Sequence, residues 1–210
     1  MILLALGCSI AMLRPAHSLG KLEGSGNLGV VLDPTFQVDL HSPPSSIPID
    51  LEYRLGLGAG LDVGVRGLLP PRALSVKYAV LDERRHATPV SVAVAVEAGA
   101  QLSFDGSSVG FVPFLRSDLL CSGTARPSPG FQIRPAASAG WWTEPDSGKQ
   151  GFGWTAGIFL PMRLPGGAAI APGVGASGRV PLGGEPDVAA RLSLTLEPWL
   201  EPATTAGGPP

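Results

Sequence analysis

The sequence predicts an all-β protein, an antiparallel up-and-down meander closed into a β-barrel of about 8–10 strands. Three observations lead to this fold class. Apolar residues recur at every second position over almost every segment after Ser18. Gly, Pro and Asp clusters separate these segments and mark turns. The second face of the segments carries Gly, Ala, Ser and charges of both signs, which suits a narrow interior better than open water.

The clearest alternation lies in residues 49–66. Over 49–57 the odd positions are Ile, Leu, Tyr, Leu and Leu, and the even positions are Asp, Glu, Arg and Gly. The same pattern resumes at Leu61, Val63 and Val65, after the turn Gly58-Ala59-Gly60. Because Gly makes such a turn sterically cheap, the two segments are predicted to form a hairpin.

Continuing this count along the chain gives ten strand segments and no stretch with helical periodicity. Pro113 and Pro172 fall inside two of them and predict a bulge or a broken ladder there. Residues 33–48 form the one long connection, with room for a short strand at 36–40. The predicted segments are 22–32, 49–57, 61–66, 74–80, 90–97, 109–117, 131–141, 152–163, 170–180 and 188–197.

Composition excludes several classes of protein. The 210 residues include 29 Gly and 22 Pro, yet 44% are hydrophobic and 15% are charged, so a disordered chain is not expected. A net charge of −2 offers no basic field for nucleic acid. The longest uninterrupted apolar run, residues 1–13, is shorter than the roughly 18–20 residues of a membrane-spanning helix.

The beginning of the chain predicts an export segment over residues 1–20, followed by a barrel over 21–200 and a disordered tail over 201–210. Leu4-Ala5-Leu6-Gly7-Cys8 resembles a bacterial lipobox, which implies lipid attachment at Cys8 and a lipoprotein. An ordinary clipped signal peptide and a short buried segment remain open as alternatives. With Cys8 lipidated, Cys121 has no disulfide partner.

Alternation alone leaves the direction of the apolar face open. In a soluble barrel or sandwich the face points inward, and in an outer-membrane barrel it points outward to lipid. The polar face collects charges of both signs that can neutralise one another as buried pairs, and aromatic residues cluster near strand ends, as they do in membrane girdles. The predicted luminal ion-pair residues are Asp50, Glu52, Arg54, Asp62, Arg66, Lys77, Glu97, Arg134, Arg179 and Arg191. The predicted interface aromatics are Trp141, Trp142, Phe152, Trp154 and Trp199.

With these residues, the chain resembles small bacterial outer-membrane β-barrel proteins over 21–199, most clearly in DLEYRLGLGAGLDVGVRG at 50–67. The resemblance implies a bacterial outer-membrane location, membrane lipid as the partner, and a structural or narrow-conduit role. It departs from those proteins at Trp199, which is followed by eleven further residues instead of ending the chain. The alternative is a soluble, envelope-associated barrel or sandwich that binds an apolar ligand, with Leu51, Val63, Val92 and Leu194 buried inside.

No catalytic constellation is evident in the sequence. His17, His41 and His86 lie in the leader or in predicted connections, and a barrel enzyme would need His41 or His86 beside a Ser or a carboxylate. Glycines at 56, 58 and 60 lie between two strands with no following helix, so they form a turn and not a phosphate loop. We therefore expect a protein without enzymatic activity, cofactor, metal or nucleic-acid partner.

Overall fold

A computed structural model describes residues 14–32, 49–67, 73–86, 88–105, 108–145 and 148–200, without the side chains of 29–32, 49–50, 101–111 and 187. These residues form twelve strands and one short 3-10 turn, Pro165–Gly167. The strands are β1 (Gly24–Leu32), β2 (Ile49–Gly58), β3 (Leu61–Arg66), β4 (Ala73–Leu81), β5 (Val90–Asp105), β6 (Ser108–Gly123), β7 (Ala125–Ser128), β8 (Phe131–Glu144), β9 (Lys149–Phe159), β10 (Met162–Arg163), β11 (Ala168–Pro181) and β12 (Asp187–Pro198).

Ten of these strands form a closed antiparallel barrel. Each pairs with the next in the order β1, β2, β3, β4, β5, β6, β8, β9, β11 and β12. The last strand returns to the first, with Leu28 opposite Leu194. The short strands β7 and β10 lie in connections and add a few pairs beside β8 and β11. The predicted fold class, an all-β antiparallel barrel, is confirmed.

The two prolines predicted to break strands do not do so. Pro113 lies opposite Ala100 and Pro172 opposite Leu194, each in an unshifted ladder, so the bulge prediction is wrong. The reason is the position of each proline along the barrel wall. The β6–β8 ladder begins only at Leu115 and the β11–β9 ladder at Gly173, so each proline lies just beyond the end of one ladder, where the Pro172 carbonyl still accepts a hydrogen bond of 2.8 Å from Leu160 N. A missing N–H removes no ladder bond at such a position.

Burial follows the alternation, but the polar face is the buried one. Along β4, Ser75 and Lys77 are buried while Leu74 and Val76 are exposed. This arrangement repeats around the wall, so the interior is lined by charged, hydroxyl, Ala and Gly positions. Gly64 shows why glycine is common there, because a Cβ at this position would lie 2.5 Å from Ser75 Oγ. The interior is narrow and is filled by side chains.

One end of the barrel, here called the terminal end, holds both the start of β1 and the end of β12. The connections after β2, β4, β6 and β9 lie at this end. Leu200, just past β12, is buried there, and its carbonyl accepts a hydrogen bond of 2.8 Å from Gln132 Nε2. Within the part of the chain that the structure describes, no helix is long and apolar enough to cross a membrane.

Candidate functional site

The outer surface of the barrel carries a continuous set of exposed apolar side chains, here called the outer belt. Leu74 is 64% exposed and Leu119 57% exposed, although both lie in regular strands. Among the described side chains, no outward-facing residue of the ten long strands is charged. The outer belt consists of Leu28, Leu51, Tyr53, Leu57, Val65, Leu74, Val76, Tyr78, Val80, Val90, Val94, Val96, Leu115, Leu119, Ile133, Trp141, Phe152, Ile158, Val174, Val180, Val188, Leu192, Leu194 and Leu196.

The predicted interface aromatics divide between the two faces. Trp141 and Phe152 are paired neighbours on β8 and β9 and are exposed on the outer belt, and Trp154 is half-buried on the same face. The structure differs from the prediction for Trp142, which is buried inside, with the Arg179 guanidinium 5.7 Å from its ring centroid. It differs also for Trp199, which is buried at the terminal end, because its backbone N–H binds Gly167 O and Arg163 covers its ring.

The barrel interior holds a network of buried ion pairs. Asp62 accepts from Arg54 at 2.5 Å and lies 3.0 Å from Lys77 Nζ. Arg66 donates to Glu97 at 2.7 Å. Unpaired charges would be costly in this setting, whereas paired and hydrogen-bonded ones are tolerated. Each of these side chains is less than 10% exposed, so the network is a structural part of the interior.

The remaining predicted luminal residues take several positions. Arg134 pairs with Glu197, and Arg191 Nε donates to Ser177 Oγ at 2.7 Å. The sequence groups Glu52 with Arg54 and Arg66 as luminal ion-pair residues, whereas in the structure Glu52 pairs with Arg14, a residue of the predicted export segment. The side chain of Asp50 lies outside the described residues. Sequence reasoning also missed Asp82, Glu83 and Asp118 as buried acids.

Residues Arg14–Leu19, here called the plug, lie inside the barrel. Arg14 is 5% exposed and Ala16 is fully buried, although neither belongs to a strand. Arg14 Nε donates to Glu52 Oε2 at 2.9 Å, and Arg14 Nη2 donates to Glu97 Oε2 at 2.7 Å. The guanidinium therefore bridges carboxylates on β2 and β5.

The plug runs along β3 through the interior. Its inner residue, Arg14, binds Glu52, which lies opposite Arg66 at the end of β3. Its outer residue, Leu19, donates its backbone N–H to Asp62 near the start of β3 at 3.1 Å. Further bonds join Ala16 N to Ser122 Oγ, Ser18 to Asp82, and Lys77 Nζ to the carbonyls of Pro15 and His17. The Arg14 side chain thus reaches the level of the end of β3, while residues 15–19 bond to wall residues nearer the terminal end.

A pocket beside Arg14 shows how little space the plug leaves in this part of the interior. Asn27, Glu52 and Thr195 are among the residues that line it, and it has about 10 Å³ of room for the centre of a water molecule. This volume corresponds to about one water molecule. The plug and the surrounding side chains leave only this small space beside Arg14.

Glu23 and Arg84 form a clasp where the plug meets the terminal end. Arg84 donates to both oxygens of Glu23, at 2.5 and 3.1 Å, and also to the carbonyl of Ser18 at 3.3 Å. Glu23 also accepts from Gly20 N at 2.6 Å. The hydrogen bond from Arg84 lowers the pKa of Glu23. The clasp therefore holds the entry to the plug most firmly when Glu23 is ionised.

This pKa shift predicts a loss of stability in acid. A lowered pKa means that the stabilisation from the clasp is complete above the ordinary pKa of glutamate and is lost as the pH falls through the lowered value. Wild type should therefore melt at a higher temperature than Glu23→Gln at neutral pH, and the two should converge in acid. Thermal melts of both proteins across this pH range give the comparison. A difference independent of pH would contradict the role of the charged clasp.

The other candidate residues take no part in an assembled reactive site among the described residues. His86 Nδ1 lies 3.1 Å from the backbone carbonyl of Asp82 in its own turn, and His17 Nε2 lies 3.5 Å from Glu197 Oε2 inside the plugged interior. Cys121 is a free thiol, exposed on β6. Cys8 and His41 lie outside the described residues, so lipid attachment stays a prediction. Within the described ranges, no group of three or more His, Cys, Asp or Glu could hold a metal ion.

No protein-family model matches this chain, and no curated protein sequence matches it.

Proposed function

We propose that this protein is an integral β-barrel of a bacterial outer membrane, with a structural and non-enzymatic role. The observation that carries the proposal is the outer belt, an uncharged apolar surface around the described wall of a barrel whose interior holds buried ion pairs. A surface in water normally carries charges of both signs, and a large contiguous apolar patch indicates contact with another apolar phase. An even number of antiparallel strands with alternating apolar and polar faces is typical of bacterial outer-membrane barrels.

The interior favours the structural role over an open conduit. Ion pairs and the plug occupy the interior beside β3, and the pocket beside Arg14 has room for about one water molecule. We therefore infer a closed barrel in the state that the structure describes. Membrane lipid is the partner of the outer belt, and the plug is an internal ligand of the barrel.

The soluble alternative does not account for the two faces. It requires Leu51 and Leu194 inside a barrel with an apolar interior, whereas both lie on the outer surface and are more than a third exposed. The inward-facing positions of the described strands instead hold charged groups such as Arg54, Asp62 and Glu97. An apolar ligand in this interior would lie against these charged groups and offer them no hydrogen bonds, which is costly in free energy.

A labelling experiment tests the membrane location. In full-length protein with Cys8→Ser and Cys121→Ser, Val76→Cys places a fluorophore at the middle of β4 on the outer belt. Reconstituted in vesicles, this fluorophore should be quenched by nitroxides on lipid chains and protected from aqueous iodide.

Leu182→Cys in the same background provides the matched control. Leu182 is also exposed and apolar, but it lies in the turn after β11, outside the strands. Its fluorophore should be more accessible to iodide and less to chain-centre nitroxides. Equal iodide quenching at both positions, with monomeric folded protein in detergent-free buffer, would overturn the proposal.

A further inference from the structure

We propose that the terminal end carries a binding site for the phosphate group of an anionic glycerophospholipid. The site, here called the headgroup patch, consists of Lys21, Leu22 and Arg85. It rests on the membrane location proposed above, and it adds a lipid preference that the outer belt does not imply. Three features of the described residues support it: two cations without counter-charges, an exposed leucine in a strained conformation, and tyrosines on the adjoining part of the outer belt.

Lys21 and Arg85 lie close to the same turn, which joins β2 to β3. A Cβ on Gly58, at the end of β2, would lie 3.5 Å from Lys21 Cβ, and a Cβ on Gly60 would lie 2.9 Å from Arg85 Nη1. Both residues are exposed, and among the described residues neither forms an ion pair. Their ammonium and guanidinium groups can therefore bind a phosphate, to which arginine donates two parallel hydrogen bonds.

The acidic side chains near the headgroup patch are buried or already paired. Glu23 is bound by Arg84, and Asp82 and Glu83 are buried. Among the described residues at the terminal end, no exposed side chain is acidic. The field outside this end is therefore positive, and it attracts an anionic membrane surface.

Leu22 places an apolar side chain directly beside Lys21. It is 74% exposed, and its φ of +63° is costly for a leucine. The conformation belongs to a bulge, because Leu22 N–H donates to Gly56 O at 2.8 Å while Gly56 N–H donates to Glu23 O at 2.9 Å. The first residue of such a bulge is normally a glycine. A leucine in this position indicates that an apolar side chain is useful at this point of the surface.

The outer belt approaches the headgroup patch through tyrosines. The chain has two, Tyr53 and Tyr78, and both belong to the outer belt, on the strands that flank β3. Tyr53 lies opposite Gly26, yet a Cβ on Gly24 would lie 2.6 Å from its hydroxyl, so the ring leans toward the terminal end. Tyr78 lies opposite Leu61, the first residue after the β2–β3 turn. Tyrosine is typical of the level at which hydrocarbon meets headgroups, because its ring is apolar and its hydroxyl polar.

A phospholipid matches all three features, whereas an acidic protein segment matches only the first. Its phosphate pairs with the cations, and its acyl chains cover Leu22 and lie against the outer belt. A glutamate or aspartate side chain would neutralise Lys21 and Arg85 but would leave Leu22 exposed to water. The headgroup patch therefore indicates a ligand that is itself part of the membrane.

Lipid-selective quenching in the full-length protein tests the headgroup patch. Cys8→Ser and Cys121→Ser remove the native thiols, and Ala59→Cys places a fluorophore in the exposed turn between Gly58 and Gly60. The protein is reconstituted in phosphatidylcholine vesicles that contain a minor fraction of doxyl-labelled lipid. Doxyl phosphatidylglycerol should quench the fluorophore as though it were enriched about fivefold or more over doxyl phosphatidylcholine, the size expected for basic residues at an anionic surface.

Removal of the two cations should abolish this preference. With Lys21→Gln and Arg85→Gln, the two doxyl lipids should quench equally. Without these substitutions, the preference should weaken as potassium chloride is raised, since salt screens exposed charges. The matched control, Arg126→Gln with Lys149→Gln, removes the same charge from exposed positions outside the patch and should keep the preference. An equal loss in the control would overturn the assignment to the headgroup patch.

Flotation of the vesicles reports insertion separately. Inserted protein without a preference for phosphatidylglycerol, or with the same preference after Lys21→Gln and Arg85→Gln, would overturn the headgroup patch and leave the membrane location standing. If such inserted protein instead bound soluble polyglutamate through these cations, the partner would be an acidic protein segment and the lipid site would be wrong. Folded protein that does not insert would overturn both proposals.

Discussion

Replacing Val76 with arginine is expected to cost about 2–4 kcal/mol of folding free energy in a lipid bilayer. Val76 lies on the outer belt at the middle of β4, between Val63 and Val96 on the neighbouring strands, and it is 48% exposed. On a protein surface in water, a substitution at such an exposed position usually changes stability by no more than about 0.5 kcal/mol. The size of the loss therefore reports whether this surface contacts hydrocarbon.

Reversible unfolding in urea, with folding into phospholipid vesicles, measures this change. Leu182→Arg is the matched control, because Leu182 is 64% exposed but lies in a turn and not in the wall. Burial of charge on the lipid-facing side of a barrel costs less toward the interfaces, so Leu182→Arg should have a much smaller effect. Equal and negligible effects at both positions would indicate that the outer belt faces water.

The fold and the assignment of residues to the inner and outer faces could be predicted, because both depend on the alternation of apolar and polar residues at every second position. In a barrel every inward residue alternates with an outward one, so a count along 49–66 assigns Glu52, Arg54, Asp62 and Arg66 to one face without any knowledge of partners. The structure places these four side chains inside and buried. Parity determines the face, and it is a local property of the chain.

The same parity could have placed Trp142 correctly. Counting on from Arg134 and Ser138, the alternation assigns Trp142 to the inner face, where the structure has it. The girdle prediction instead grouped the tryptophans by their closeness along the sequence. Proximity to a turn shows where along the barrel axis a residue lies, but not whether it faces lipid or the interior.

The plug could not be predicted from local pattern. Arg14–Leu19 has no alternation, and the apolar run before it is typical of an export segment. Its position depends on side chains far along the chain, since Arg14 binds Glu97 and Ala16 binds Ser122. The partner of Glu52 was missed for the same reason. The local sequence determines on which face each charged side chain lies, whereas the partner of that side chain depends on how the whole barrel closes.

Replacing Arg134 with alanine is expected to destabilise the barrel by about 3–5 kcal/mol, because it leaves a buried carboxylate without its counter-charge. Arg134 is 1% exposed and pairs with Glu197, which is 4% exposed. Its guanidinium also donates to Gln132 Oε1 at 3.0 Å. Because both side chains are almost inaccessible to solvent, bulk water cannot readily replace these bonds, so the loss should exceed that of a surface pair.

Two comparisons separate the charge effect from the loss of packing. Arg84→Ala breaks the more exposed clasp with Glu23 and should cost at most about 1 kcal/mol, since such pairs are screened by water. Arg134→Met combined with Glu197→Leu removes both buried charges, and the double variant should be more stable than Arg134→Ala alone. Urea unfolding of the four proteins yields these differences. A double variant as unstable as Arg134→Ala would indicate that the pair is needed for its shape and hydrogen bonds, and that the unpaired charge is not the cause of the loss.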